Sequence, residues 1–442
     1  MRVSGQQPLV SVLKVLIDVA YWIALVGAAL LLLAVIPLAV FQPQGVSLDL
    51  PARLEIDPSA YSITPTDGSD RTVSIGEAQV EVKIRGVDAW QTLQGFAAGI
   101  LLLAAGLIVL YQLRGIFRTL KAGRPFVHQN VRRMRILGFT LILGELLRAV
   151  MITWSSSQMS RSFISEGVDF QSGFEVRANF IFAGLLVLVL AEVFREAASM
   201  KRDLETAREI QFSLIPAEEF RQDPIVVRSH MRPANTVGGD YYDIIQLGDG
   251  KVAVVQADVA GKGMPAALLM AVLQGSLRTL ISAGLRGRQL VDALNDYLHD
   301  NTPSNRMVTL FYGELDLATG EMSYVNAGHS LPFLIRRDGG LERPSDSSMV
   351  LGIVPHRAYP PSVLRLEPGD RLLLFTDGIS EASDRGDNEY GDERVEDYLR
   401  HHQPRDTGQD LVDGLVSDVL RFCKPAAPVD DMTLTLITRS GA

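Results

Sequence analysis

Residues 238–263 read GGDYYDIIQLGDGKVAVVQADVAGKG. Within this stretch two short segments each deliver an aspartate out of glycine-flanked backbone. Asp240 follows Gly238 and Gly239. Asp258 closes the apolar run 252–257 and leads into Val259, Ala260, Gly261, Lys262 and Gly263. The order strand, carboxylate, glycine turn, helix sets a charge at the rim of a sheet. Backbone carbonyls of such a turn approach a cation without side-chain obstruction.

Two carboxylate sites downstream have the same form. The run 371–376 (RLLLFT) reads as a buried strand that enters Asp377-Gly378, and Asp430 and Asp431 immediately precede the strand 432–438 (MTLTLIT). Asp-Gly is common in turns, so one such aspartate alone is more simply a turn former. Four strands with an aspartate at one tip shift that balance. Cys423 is the single cysteine and lies away from these motifs. A cluster of oxygen ligands without thiolate or paired imidazole suits hard divalent ions such as Mg²⁺ or Mn²⁺. Two such ions, roughly 3.5–4 Å apart, lower the pKa of a water and clamp a phosphoryl oxygen.

Around these motifs the second half alternates strands and helices. Strands are expected at 224–231, 242–246, 251–257, 307–316, 321–326, 331–336 and 362–366, with residues 247–250 as a hairpin turn. Helices are expected at 265–282, 288–299, 392–401 and 409–422, the first with a proline in its opening turn. Strands in bulk with helices in consecutive pairs imply α+β, an antiparallel β-sandwich flanked by helices, and not a doubly wound sheet.

The order GGD, DVAGKG, TDG, DDMT resembles the SpoIIE-type branch of the metal-dependent type 2C protein Ser/Thr phosphatases, over about residues 200–438. The resemblance implies that Asp258 binds both ions with help from the Val259 carbonyl, that Asp377 and Asp430 complete the two sites, and that Asp240 binds one ion directly or through water. Asp431 is the alternative to Asp430. It further implies two Mn²⁺ or Mg²⁺ ions, a phosphoserine or phosphothreonine protein as substrate (in similar proteins often a STAS-type anti-sigma-factor antagonist), and a switch helix at 265–282. This branch lacks the arginine that other type 2C enzymes use to grip phosphate, and Arg232 and Lys262 are the candidates here. His329 is either a general acid for the leaving oxygen or a hydrogen-bonded turn residue, and the second is the simpler reading. Thr376 and Gly378 are read as shaping the strand exit. The competing reading is a catalytically silent scaffold with a phosphatase-like binding domain.

At 442 residues the chain is long enough for two or three domains, and its net charge of -9 argues against a nucleic-acid partner. One cysteine excludes an internal disulfide framework. Four apolar stretches, 19–41, 95–113, 136–154 and 179–194, approach the ~20 residues that cross a bilayer as a helix. The connection 114–135 carries Arg114, Arg118, Lys121, Arg124, Arg132, Arg133 and Arg135 and no acid. By the positive-inside rule it is cytoplasmic, the loop 42–92 is external, and both ends of the chain are cytoplasmic. The expected organisation is a four-span membrane domain over 1–195, a helical linker over 196–216 and a catalytic domain over 217–442. Together with the resemblance, that implies a bacterial cytoplasmic membrane with the catalytic domain inside.

Within the membrane half the loop 42–92 is expected to form a small β-structured cap. The stretch 123–138 resembles a bacterial family of small four-helix membrane domains of uncharacterised role. Glu145 and Arg148 fall three residues apart in the third span, either as a buried switch or as a packed, mutually neutralised pair, the simpler reading. From Val193 to Leu214 small or apolar residues recur at spacings of four and three, an amphipathic helix continuing out of the fourth span. In the resembled phosphatases this segment is a helical linker that can dimerise. Here it either transmits the state of the membrane domain to the site or serves as a passive tether.

Overall fold

The computed structural model describes residues 8–41, 47–56, 62–63, 73–74, 77–85, 89–162, 168–171, 174–303, 306–402, 408–425 and 428–441. The chain divides into two compact units, Met1–Lys201 and Arg202–Ala442.

The first unit is built on long apolar helices: α1 (Pro8–Phe41), α2 (Ala89–Lys121), α3 (His128–Ser162) and α4 (Ala178–Ser213), the last running on into the second unit. Each contains a stretch long and apolar enough to cross a membrane. The basic connection is mostly helical, since α2 continues to Lys121 and α3 begins at His128. Short strands β1 (Ser47–Ile56), β2 (Ser62–Ile63), β3 (Val73–Ser74), β4 (Glu77–Arg85) and β5 (Val168–Gln171) lie between the helices. β1 pairs antiparallel with β4 on one side and β5 on the other, so the cap also recruits the connection between α3 and α4. Parts of the cap expected over 42–92 fall outside the described residues.

Several charges on the described helices are paired. Arg114 donates to Asp18 at 2.6 Å, joining α2 to α1. Arg148 grips Glu145 through two hydrogen bonds of 2.8 and 2.5 Å, and the Glu145 carboxylate also accepts from the Arg177 backbone at 2.7 Å. The pair on α3 therefore neutralises itself and anchors the chain entering α4. Gly138 and Gly184 let α3 and α4 approach closely, because a Cβ on either would lie 2.9 Å from the other's carbonyl oxygen.

The second unit is a sandwich of two antiparallel sheets. Its strands are β6 (Glu219–Gln222), β7 (Ile225–Arg232), β8 (Tyr241–Gly248), β9 (Lys251–Val259), β10 (Val308–Asp316), β11 (Glu321–Ala327), β12 (Phe333–Ile335), β13 (Leu341–Glu342), β14 (Ser362–Arg365), β15 (Arg371–Phe375) and β16 (Met432–Arg439). Its helices are α5 (Met264–Ser282), α6 (Gly287–Asn301), the single turn α7 (Asp377–Ser380), α8 (Gly391–His401) and α9 (Gly408–Phe422). One sheet has the order β14-β11-β10-β9-β8 and the other β13-β12-β15-β16-β7-β6.

Alternation along the strands builds three cores. On β9, Val252 and Val254 face the other sheet and, with Phe311 of β10, join its Ile225, Val227, Leu372, Leu374 and Ile437. Ala253, Val255, Ala257 and Val259 face outward onto α5 and α6. The outer face of the second sheet is covered by α8 and α9 through Val395, Leu399, Leu415 and Val419. Helix layer, sheet, sheet, helix layer is the resulting order, as the strand-and-helix pattern predicts. A fifth helix, Met264–Ser282, is also apolar enough to cross a membrane. Its buried Met270, Leu273, Leu277 and Ile281 pack on the first sheet, which accounts for its hydropathy.

Candidate active site

The same alternation that buries Val252 and Val254 between the sheets carries on to Gln256 and Asp258. On β16 it turns Thr433 and Thr435 inward, and beyond Leu372 and Leu374 of β15 it turns Thr376 inward. The space between the sheets is thus apolar at its centre and polar at one end. Asp240, immediately before β8, enters this end almost fully buried, 2 % exposed. Its Oδ2 accepts hydrogen bonds from the Thr376 hydroxyl at 2.9 Å and the Thr433 hydroxyl at 2.5 Å. The Thr433 backbone N–H in turn donates to Thr376 Oγ1 at 3.0 Å, so the two threonines form one cradle.

Asp240, Asp258, Asp377, Asp430 and Asp431 are brought into one mutual field. Burial pushes the Asp240 carboxyl well above the usual range, and the charges of Asp258 and Asp431 push it further. Asp258 is raised to about 7, first by burial and then by Asp377 and Asp430. Asp377 is raised by burial and by Asp430. These strand tips therefore hold more negative charge than their surroundings balance.

The two neighbouring aspartates before β16 have different duties. Asp431 is 6 % exposed and accepts from the backbone N–H groups of Ala234 at 2.7 Å and Gly239 at 2.6 Å. A Cβ at Gly238 would collide with the Asp431 carboxylate, and one at Gly239 would lie 2.7 Å from the Val259 carbonyl oxygen. Both glycines before Asp240 are thus demanded by close approach. Asp430 is 39 % exposed, and its Oδ2 takes the Lys262 ammonium at 2.8 Å.

The turn after Asp258 is pinned from outside. Ala260 donates its N–H to the Met307 carbonyl at 2.9 Å, and its own carbonyl accepts from Arg306 at 2.9 Å. Gly261 has φ 112°, and the Arg306 guanidinium occupies the space that a side chain there would need. Further back, Gln211 in the last turns of α4 grips the backbone of Gly238. Its amide donates to the carbonyl at 2.6 Å, and its Oε1 accepts from the N–H at 3.2 Å. Tyr242 donates to the Pro216 carbonyl at 3.0 Å, a second tie between that segment and β8.

Other candidates fall elsewhere. Arg232 ends β7 opposite Met432, exposed, and among the described residues it makes no bond to the five acids. His329 is buried, with Nδ1 2.8 Å from the Thr309 hydroxyl and its backbone held on both sides by the Asn326 amide. Burial lowers its pKa to about 3, so the imidazole is neutral and enclosed, the condition of a structural turn residue. Thr309 pairs in register with Asp258, so His329 stands behind the acidic end.

The donor set fits hard divalent cations: carboxylate oxygens with raised pKa, the Val259 carbonyl, and the buried Gln256 Oε1, which has no hydrogen-bond partner. Among the described residues no three of these groups are already closed to ligand spacing around one point.

Sequence reading finds Asp240, Asp258 and Asp377 because each adjoins a glycine turn, and Asp430 and Asp431 because they head a strand. It does not find Thr376 and Thr433 as a cradle, since threonine is an ordinary strand former. Their signal is a polar residue at an inward position where the preceding inward residues are apolar. Gln211, inside the amphipathic helix expected over 193–214, is a buried clamp on Gly238.

Both halves of the chain are similar to known proteins. Residues 248–440 match the family model for stage II sporulation protein E (SpoIIE), and residues 57–207 match that of a protein of unknown function, DUF2975. Phosphoserine phosphatase RsbU of Bacillus subtilis is 26% identical over 241 residues, 54% of this chain and 71% of that protein. Protein IcfG of Synechocystis is 26% identical over 265 residues, 54% of this chain and 42% of its own length. Phosphoserine phosphatase RsbP of Bacillus subtilis is 29% identical over 184 residues, 40% of this chain and 45% of that protein. This chain therefore spans less than half the length of IcfG and of RsbP. The SiaA-PP2C domain of Pseudomonas aeruginosa aligns with a TM-score of 0.48 at 19% identity, over 55% of this chain and 98% of that one.

Proposed function

We propose that this chain, which carries a SpoIIE-type phosphatase domain behind a helical region of the DUF2975 type, is a membrane-anchored, metal-dependent protein serine/threonine phosphatase. The observation that carries the reading is the convergence of Asp240, Asp258, Asp377 and Asp430 at one polar end of a sandwich, with no cationic side chains among the described residues sufficient to balance them. Phosphoserine phosphatases among its relatives support the reaction class.

Asp258, Asp377 and Asp430 would hold two Mn²⁺ or Mg²⁺ ions, with the Val259 carbonyl, and Asp240 would hold one of them directly or through water. When bound, such ions supply an activated water and stabilise charge on the phosphoryl oxygens. The chain's own residues do the positioning. Thr376 and Thr433 fix the Asp240 carboxylate, Asp431 fixes the Gly238-Gly239 turn, and Arg306 fixes the turn after Asp258. No side-chain nucleophile stands among them, which agrees with direct attack by water. His329 is buried and neutral, so proton supply to the leaving oxygen falls to solvent.

The substrate is a phosphoserine or phosphothreonine on a cytoplasmic regulatory protein, with a STAS-type anti-sigma-factor antagonist as the first candidate. The working division is membrane domain 1–195, linker 196–216 and catalytic domain 217–442, in a bacterial cytoplasmic membrane with the catalytic domain inside. We assign α4 the task of carrying the membrane domain's state, as a dimerising linker, because its Gln211 ends on the backbone of the GGD turn.

The test is phosphate release from a phosphoserine STAS protein by the full chain in lipid nanodiscs with Mn²⁺. Release that a chelator stops is the expected result. Metal binding without release would replace the enzyme by a binding scaffold.

A further inference from the structure

Lys262 stands between Gly261 and Gly263, at φ 112° and 70°, in the turn that leads from Asp258 into α5. Its ammonium crosses to the segment before β16. It donates to the Val429 carbonyl at 2.9 Å and meets Asp430 Oδ2 at 2.8 Å. The other oxygen, Asp430 Oδ1, accepts the Asp431 backbone N–H at 3.0 Å. Both carboxylate oxygens of Asp430 are therefore engaged. Lys262 is also close enough to Asp377 and Glu381 to favour their ionised forms.

We propose that Lys262 is a built-in, displaceable counter-cation that competes with divalent metal for Asp430 and so sets the metal concentration at which the site fills. The inference rests on the phosphatase reading and adds a regulator to it. Three features carry it. An ammonium is a compact, hydrated point charge on a flexible stem, released more easily than a bidentate guanidinium. Side-chain exposures of 45% for Lys262 and 39% for Asp430 leave room for it to swing out. The base of the turn is meanwhile anchored, with Arg306 on the Ala260 carbonyl and Ala260 on Met307, so departure of the ammonium need not move Asp258. In the metal-free protein Lys262 offsets part of the crowded negative charge. With an ion present, the ammonium is freed at the mouth of the same site.

The experiment is a substrate-free Mn²⁺ titration of the full chain in nanodiscs, with free Mn²⁺ read by electron paramagnetic resonance. Lys262→Met is expected to bind Mn²⁺ about fivefold more tightly than wild type, the scale of a partly exposed ion pair. Lys262→Arg, which keeps a cation there, should bind no more tightly than wild type. In an Asp430→Asn background Lys262→Met should bring no gain, because the contested ligand is gone. Unchanged or weaker binding by Lys262→Met overturns the inference, and so does a gain that persists without Asp430, which would mark a general field effect. Wild type that binds Mn²⁺ but ignores these changes leaves the phosphatase reading standing, whereas wild type that binds none takes down both.

Discussion

Asp258 owes its position to parity along β9: an inserted residue between Val252 and Asp258 would turn its carboxylate from the inter-sheet space onto α5. The charge it brings is unbalanced, as its pKa of about 7 records. Asp258→Asn and Asp377→Asn are expected to lower kcat by at least about 10²-fold, since each removes a charged ligand from the transition-state field. Asp258→Asn should also raise the melting temperature in chelator, because one crowded charge has gone. Turnover like wild type at limiting metal would remove that residue from the site. His329 gives the opposite kind of signature. Its folded pKa is about 3 against an ordinary 6.5, so the unfolded chain gains a proton through pH 6.5 that the native chain refuses. The sign follows: stability is unaffected above that range and falls as pH drops from 6.5 towards 3, by up to about 1.4 kcal/mol per unit. Asp258, whose raised pKa strengthens the fold as pH falls below about 7, contributes the opposite slope in both proteins, so urea unfolding of residues 202–442 between pH 8 and 5 should show the histidine's slope as the difference between wild type and His329→Gln. Parallel slopes would contradict a buried neutral imidazole. Asp240, Asp258 and Asp377 were legible in the sequence because glycine turns flag them, and Asp430 and Asp431 because they head a strand. The Thr376–Thr433 cradle was not, since what distinguishes those threonines is which side of a strand they face and how close two distant strands come.

At the scale of elements, α5 is the helix with the most at stake, because it begins shortly after Asp258 closes the inner face of β9. Its amphipathic pattern and its start next to Pro265 were readable, and the observed span, Met264–Ser282, differs from the expected one by a residue. What fixes it against β8 was not readable. Asp243 is fully buried, and Arg278 of α5 donates to it twice, at 2.7 and 2.8 Å, while Tyr241 donates at 2.5 Å. The pair joins residues 35 apart, a distance at which no periodicity signals contact. Removing the guanidinium strands a buried carboxylate, and stranded charges of this sort cost about 3 kcal/mol. Arg278→Ala should therefore destabilise residues 202–442 by about that much in denaturant unfolding, whereas Arg278→Ala combined with Asp243→Asn should recover a good part of it. A loss below about 0.5 kcal/mol in the single variant would make this an exposed pair of little consequence. The short elements β6, β13 and α7 escaped the sequence reading, as four or fewer residues carry too little pattern to separate from loop.

For the whole molecule, hydropathy alone overcounts: it offers five helices of membrane-crossing length, and the fifth is a core helix of the sandwich. Length separates them. α1 to α4 run 34, 33, 35 and 36 residues, beyond any need of the hydrocarbon layer, whereas Met264–Ser282 has 19 and buries one face on a sheet. Charge then argues the orientation. The basic residues around the connection 122–127 lie on the ends of α2 and α3, and the β1–β4 region lies at the other ends of α1 and α2. If the positive-inside rule governs this chain, 122–127 faces the cytoplasm together with the catalytic half, and 42–92 faces outward. The protein's one native thiol, Cys423, is buried, so introduced cysteines report without interference. In intact cells, a cysteine in place of Ser69 should react with a membrane-impermeant maleimide, while one in place of Ala122 should react only after the membrane is opened. The reverse labelling would place the acidic end of the sandwich outside, away from phosphoproteins made at the expense of cytoplasmic ATP. A cytoplasmic substrate would then be out of reach even with every ligand of the site intact.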